Sequence, residues 1–309
     1  MDAKVLPNGA WPVMVTPFQE DRSIDWAGVD ALVEWYLAAG VVGLFAVAQT
    51  SEMYAMSPEE RVALARRVVE RVDGRVPVVA SGTFGGTISQ QIEAVRRMAD
   101  TGVAAVVAIS AQIAGAEEGD DVLRARLEQL LEETEDVAFG LYECPLPYKR
   151  LVPTEMLGAL ATSGRFLFLK DTTERPHMIA EKVVAVHDTP LKVFNAEMSS
   201  LLETLRSGAH GFCGNATNCY PELIQWLCEA ATRNDQDADR IQLVLSVVDA
   251  VVSSPLYPAS AKYFLRYARG VEITPVCRVS SVGLREHDRR LLEHLDRHVR
   301  GIDLPIVLR

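Results

Sequence analysis

The chain has 309 residues, of which 49% are hydrophobic and 24% charged, an ordinary globular composition with enough length for a large core. Its net charge of −11 speaks against nucleic acid or an anionic membrane as partner. The five cysteines (Cys144, Cys213, Cys219, Cys228, Cys277) form no C-x-x-C pair, which argues against a disulfide framework or zinc site and for a reducing compartment.

The N-terminal "MDAKVLPNGAWPVMVTPF" lacks the charged-then-apolar pattern of a signal peptide. No apolar run has the length of a membrane span. A soluble, cytoplasmic protein is expected.

Short apolar segments then recur in chain order: 11–16 (WPVMVT), 43–48 (GLFAVA), 76–81 (VPVVAS), 104–110 (AAVVAIS), 138–144 (AFGLYEC), 166–170 (FLFLK), 191–196 (LKVFNA) and 211–216 (GFCGNA). They are continuous rather than alternating, as in parallel strands covered on both faces. Amphipathic stretches lie between them. The one over 57–72 opens with Ser57, Pro58 and Glu60, a capping box with proline at the first helical position. The one over 87–102 stops at Gly102, a natural terminator.

Strands spaced roughly 20 to 35 residues apart and separated by helices predict an α/β fold, a (β/α)8 TIM barrel. A doubly wound sheet is the alternative, but no G-x-G-x-x-G follows the first strand. After about residue 222 the strands stop. Helices are expected over 222–253, 259–270 and 283–300, with "SSPLYP" (253–258) as a break. Residues 1–222 are thus read as the barrel and 223–309 as a helical extension packed on it.

In such barrels the reacting groups sit at the C-terminal ends of the strands. The polar residues there include Thr16, Gln49, Thr50, Ser51, Glu52, Ser81, Ser110, Tyr142, Lys170, Asn195 and Asn215. Lys170 stands out because it ends an apolar strand. Burial disfavours its ammonium form, and a neutral amine can attack a carbonyl to form a Schiff base. Alternatively it pairs with a barrel carboxylate such as Asp171, or snorkels to the rim. Tyr142, on the neighbouring strand, is placed to move a proton in the same cavity. The turn around Thr50 offers N–H groups and a hydroxyl to a carboxylate. Lys149 and Arg150 stand near the mouth as candidate holders of a distal anion, or as an ordinary solvated loop. Cys144 shares the parity of Tyr142 and reads as a buried thiol, and His177 as a surface residue. No histidine is spaced from carboxylates as a metal site requires.

These stretches resemble the dihydrodipicolinate synthase/N-acetylneuraminate lyase family across nearly the whole chain. "TPF" at 16–18 with Asp25 matches the family's opening, and "AQTSEMYAMSPEER" stands at its G-T/S-T-G-E loop. "LYECP" matches its Y-N-x-P motif, "FLFLKDTT" its lysine strand, and "SGAHGFCGNATNCYPEL" its eighth-strand segment. The resemblance implies a class I lyase that binds a 2-oxo acid, usually pyruvate, as an imine on Lys170. Tyr142 would move protons, with the substrate held by Gln49, Thr50, Ser51, Asn195 and Cys213. It implies no metal or organic cofactor, and a homotetramer built as a dimer of dimers. Aldol cleavage or condensation is the first reaction expected. Dehydration or deamination of a 4-substituted 2-oxo acid is an alternative, and a catalytically silent 2-oxo acid binding protein is another.

The departures bear on the second substrate. Gln49 stands where the family has a hydroxyl, and Ala48 and Ser51 replace glycines. Glu143 replaces an asparagine, and Pro147 stands where synthases of the lysine pathway carry an arginine. The segment "AISAQIAGAEEGDD" lacks the tyrosine that such synthases lend to a neighbouring subunit. A divergent member is expected, with its pyruvate end kept and its second-substrate end rebuilt.

Overall fold

Residues 5–233, 235–254, 256–280 and 283–308 are described by a computed structural model of the chain. Its centre is eight parallel strands: β1 (Gly9–Ala10), β2 (Leu44–Phe45), β3 (Val78–Ser81), β4 (Ala105–Ile109), β5 (Phe139–Tyr142), β6 (Phe166–Asp171), β7 (Lys192–Asn195) and β8 (Gly211–Phe212). The order β1-β8-β7-β6-β5-β4-β3-β2 sets the last strand beside the first. A parallel bridge between Val13 and Phe45 joins the two remaining edges. The chain therefore forms the expected (β/α)8 barrel.

The first strand departs from expectation. Its ladder lies at Gly9–Ala10 rather than over 11–16. Pro12 carries no N–H to donate. Pairing with β8 accordingly ends where the Trp11 N–H meets Phe212 O at 2.9 Å, and only the Val13 bridge follows. The other seven strands fall on the apolar runs, with β6 reaching one residue further, to Asp171.

Helices cover the barrel: α1 (Trp26–Ala38), α2 (Pro58–Val72), α3 (Ile88–Ala99), the short α4 (Ser110–Ile113), α5 (Asp120–Glu133), α6 (Thr154–Ala161), α7 (Pro176–Ala185), α8 (Leu201–Arg206) and α9 (Pro221–Arg233). At α2 the Glu60 N–H reaches the Ser57 hydroxyl at 3.2 Å while the Ser57 N–H reaches the Glu60 carboxylate at 2.9 Å. That is the reciprocal cap its sequence predicts. Helix α3 stops at Ala99, and Gly102 (φ 86°) turns the chain into β4.

Helix α9 packs on β1 and β8, in the place of the eighth barrel helix. The boundary expected after residue 222 falls inside it. Then follow α10 (Ala238–Val252), α11 (Ala259–Arg269) and α12 (Glu286–Arg300), with α10 against α9 and α12, and α11 against α12. None of the described helices is long and apolar enough to cross a membrane.

Inward-facing aromatic rings fill the barrel. Phe168 stacks on Phe194 at 4.9 Å between centroids, and Trp11 lies 5.4 Å from each. Phe45 meets Phe168 edge-on at 5.8 Å. Gly43 leaves room for this layer, since a Cβ there would come within 2.5 Å of the Trp11 ring. The layer seals the barrel and is the floor on which the polar residues at the strand ends stand.

Candidate active site

Side chains alternate along β6. Phe168 and Lys170 share the inward face, whereas Leu169 and Asp171 face the helices; the register with β5 shifts one residue before Phe168. This alternation decides the fate of Lys170. Asp171, its sequence neighbour, accepts the Lys182 ammonium of α7 at 2.6 Å, and Lys182 also reaches Glu143 at 2.6 Å. All three side chains are fully buried. Lys170 thus lacks the carboxylate partner that Asp171 would have been. Among the described residues it forms no ion pair, and only 4% of it is exposed. Its Nζ lies 4.6 Å from the centroid of the Tyr142 ring and 6.0 Å from that of Phe45. Burial lowers its pKa below the ordinary 10.5, so the neutral amine is accessible.

Tyr142 pairs with Lys170 in the register of β5 and β6. Burial, with the Cys144 thiol beside it, raises its pKa well above 10. An amine whose neutral form burial favours and an intact phenol therefore stand side by side. Cys213, buried and close enough to feel Lys170, has its thiol pushed up to about 12 by burial, so it supplies no anion to hold the ammonium.

Above these groups opens a cavity of about 420 Å³. Of the seven residues expected to react with or hold a 2-oxo acid, four line it: Lys170, Tyr142, Gln49 and Thr50. Three do not. The Ser51 hydroxyl is spent inside its own turn, on the N–H and carbonyl of Ala48. The Asn195 amide donates to Ser200 and Thr204 and accepts from the Glu197 N–H, tying β7 to α8. Cys213 is buried beneath the cavity wall.

In the Gln49–Ser51 turn, the Ser51 N–H bonds Ala48 O and the Glu52 N–H bonds Gln49 O. The turn's leading donors are thus those of Gln49 and Thr50, because the first N–H groups of a helical turn have no carbonyl within it. The Thr50 hydroxyl donates to Asn215 Oδ1 at 3.3 Å.

The two mouth cations are already engaged. Lys149 bonds Glu174 and the Thr172 carbonyl, each at 2.8 Å, and Arg150 bonds Asp120 at 3.0 Å. Glu197 also lines the cavity and bonds Ser199 and Ser200, without a cation partner among the described residues. His177 is exposed on α7.

Sequence reasoning passed over several lining residues. Tyr54 sits in a quoted stretch but had no evident role. Tyr257 and Val279 reach the cavity from beyond the barrel, a placement no local pattern reveals. Glu143, the residue in place of asparagine, turns away from the cavity toward Lys182 and the Val152 N–H. No group of three or more His, Cys, Asp or Glu among the described residues is placed to hold a metal ion.

The model of the dihydrodipicolinate synthetase family matches residues 6–296. The chain belongs to that family. Among curated relatives, a 4-hydroxy-tetrahydrodipicolinate synthase from Polynucleobacter asymbioticus is 28% identical over 268 residues, covering 85% of this chain and 86% of that one. One from Marinobacter nauticus is 27% identical over 233 residues, covering 75% and 78%. The solved structures place the family member's fold among close neighbours. A monomeric dihydrodipicolinate synthase variant superposes with a TM-score of 0.88 at 19% identity, over 98% of this chain and 100% of that one. A synthase from Acinetobacter baumannii complexed with pyruvate gives 0.85 at 20%, over 96% and 99%. YagE from E. coli, also in complex with pyruvate, gives 0.84 at 22%, over 95% and 98%.

Proposed function

We propose that this family member is a class I lyase that binds a 2-oxo acid as an imine on Lys170 and cleaves or forms a carbon–carbon bond beside it. The observation that carries the reading is the buried Lys170 with no counter-charge, beside Tyr142, under an open cavity. A structural lysine would be paired. A neutral amine at a cavity floor is a nucleophile.

In this reading Nζ attacks the 2-oxo carbon, water leaves, and an iminium forms. The iminium takes up the electron pair of the C3–C4 bond as the C4 hydroxyl gives up its proton and an aldehyde departs. The resulting enamine is protonated at C3, and hydrolysis frees the shortened 2-oxo acid and Lys170. Tyr142 is the group at hand for the proton transfers. The substrate carboxylate is assigned to the Gln49 and Thr50 N–H groups, because the Ser51 N–H is bonded to Ala48 O. The imine is itself the electron sink, so the proposed chemistry calls for no metal or organic cofactor.

The departing half of the substrate is read from charge. Lys149 and Arg150 are committed to acids, and Glu197 adds a negative charge at the rim. A second carboxylate on the substrate would meet no uncommitted cation among the described lining residues, which favours an uncharged aldehyde half. A homotetramer belongs to the same proposal on family habit alone, and sedimentation velocity reads it directly.

The test is reduction of the protein with borohydride in the presence of pyruvate, followed by intact mass and peptide mapping. The expected result is one pyruvate-derived adduct on Lys170, absent from a folded Lys170→Ala variant. An unmodified Lys170, with longer 2-oxo acids also inert, would overturn the reading in favour of a silent binding protein.

A further inference from the structure

Three large apolar side chains that line the cavity are open to solvent: Tyr54 (37% exposed), Leu146 (45%) and Val279 (55%). They come from the turn after β2, the loop after β5 and the segment beyond α11. Exposed hydrophobic residues scattered singly are ordinary. Three that border one cavity form the kind of surface an apolar ligand covers. Pro145 and Pro258 extend the same lining.

The rim is held in place before anything binds. The Tyr54 hydroxyl donates to Leu146 O at 2.9 Å and accepts from Gln112 Nε2 at 3.3 Å, and the ring meets Phe84 edge-on at 6.3 Å. What Tyr54 has left to offer is its ring. The Val279 N–H is fixed by Glu52 at 2.9 Å. A ligand therefore pays little to order this surface. The polar lining has less to offer, because its acceptor oxygens are engaged. Glu174 Oε1 takes the Lys149 ammonium at 2.8 Å, and both Glu197 oxygens accept from Ser199 or Ser200. Gln49 Oε1 accepts from the Cys144 thiol at 3.5 Å, and Asn215 Oδ1 from the Thr50 hydroxyl. Hydroxyl groups on a substrate would compete with these bonds, whereas an apolar group over Tyr54, Leu146 and Val279 displaces only water.

We propose that the half of the substrate beyond C3 carries an aromatic ring, seated against Tyr54, Leu146 and Val279 and released as an aryl aldehyde. The inference rests on the Schiff-base reading and names the substrate class for it. A ring suits this rim better than a flexible chain, because it packs on the Tyr54 ring and has few rotors to order. The reactant is then a 4-aryl-4-hydroxy-2-oxo acid. Its C3–C4 bond breaks, the electron pair passes to the iminium, and the C4 hydroxyl loses its proton to become the aldehyde carbonyl. C3 gains one proton in return. The acid is divided into pyruvate and aldehyde, with no external oxidant or reductant.

The test uses 2-oxo acids without a C4 hydroxyl, which form the imine and go no further. Borohydride trapping read by intact mass gives the half-saturating concentration of each. 2-Oxobutanoate is the parent, 2-oxo-4-phenylbutanoate adds the ring, and 5,6-dihydroxy-2-oxohexanoate puts a diol in its place. The phenyl acid should half-saturate at least about tenfold below the parent, the scale of burying one aromatic side chain, and the diol within about threefold of the parent. In Leu146→Ser/Val279→Ser, which changes two exposed positions, the advantage of the phenyl acid should shrink below about threefold. Each ratio is taken within one protein, so a smaller active fraction cancels. A wild-type ratio near one would overturn the inference, and is the result expected if a second copy of the chain covers these residues. So would a diol that half-saturates below the phenyl acid, a phenyl acid left untrapped where pyruvate is trapped, or a ratio unchanged in the double variant. No adduct on Lys170 with any 2-oxo acid would overturn the Schiff-base reading, and this inference with it.

Discussion

Lys170 sets binding of a carbonyl against stability of the fold. A buried amine without a partner raises the free energy of the native state relative to the unfolded chain, and an apolar side chain of similar length removes that penalty. Lys170→Met should therefore trap no pyruvate yet melt higher, by a gain of about 1–2 kcal/mol. The gain should depend on pH. Burial lowers the native pKa of Lys170 below 10.5, so between the lowered value and 10.5 the unfolded chain holds more protons than the native one. Stability of the wild type then rises with pH through that window. The methionine variant lacks the effect, so its advantage should be largest at low pH and vanish as pH nears 10.5. Thermal melts of both proteins across that range check the sign. An advantage that grew with pH would mean that the ammonium is stabilised in place.

At the scale of the element, β5, β6 and α7 are fastened by Lys182 between Glu143 and Asp171. Two carboxylates and one ammonium share a dry site, and burial raises the pKa of Glu143. Lys182→Met leaves both acids without a cation and should destabilise by about 3–5 kcal/mol. Without the ammonium the native pKa of Glu143 rises further above its unfolded value. The native state then holds more protons, and stability falls as pH rises through that window. The variant should consequently be partly rescued in mild acid, which denaturant melts at several pH values would read. This fastening was not legible in the sequence, because Glu143 and Lys182 lie 39 positions apart and either reads locally as a surface charge. What was legible shares one cause. Strands buried on both faces show as apolar runs, and a lysine or tyrosine closing such a run has nowhere to go but the barrel's end. Ser51 and Asn195 satisfied the same pattern and yet serve the turns that follow their strands. A strand-end position fixes the level of a side chain in the barrel, not the direction in which its hydrogen bonds draw it.

At the scale of the whole molecule, the helical extension helps build the cavity. Glu52 holds a left-handed backbone (φ 62°), which a non-glycine residue adopts only at some cost in energy. Its carboxylate provides the offset. It bonds the Lys262 ammonium at 2.6 Å and the N–H groups of Arg278 and Val279 at 2.5 and 2.9 Å. Lys262, fully buried on α11, also donates to Val276 O at 2.7 Å. The Arg278 guanidinium meanwhile grips Glu60 at the start of α2, each of its bonds 2.7 Å long. The loop after β2 and the segment at 276–279 are thus one fastened unit, and it carries Gln49, Thr50, Tyr54 and Val279 to the cavity. Glu52→Gln keeps the shape but leaves the buried ammonium without an anion, so a loss of about 3 kcal/mol is expected. Because that charge joins barrel to extension, the damage should not stay local. Proteolysis should begin near 276–279, and pyruvate should be trapped at a higher half-saturating concentration, since the turn assigned to its carboxylate is released. A variant that loses stability but traps pyruvate at the wild-type concentration would show that the turn keeps its shape without the extension.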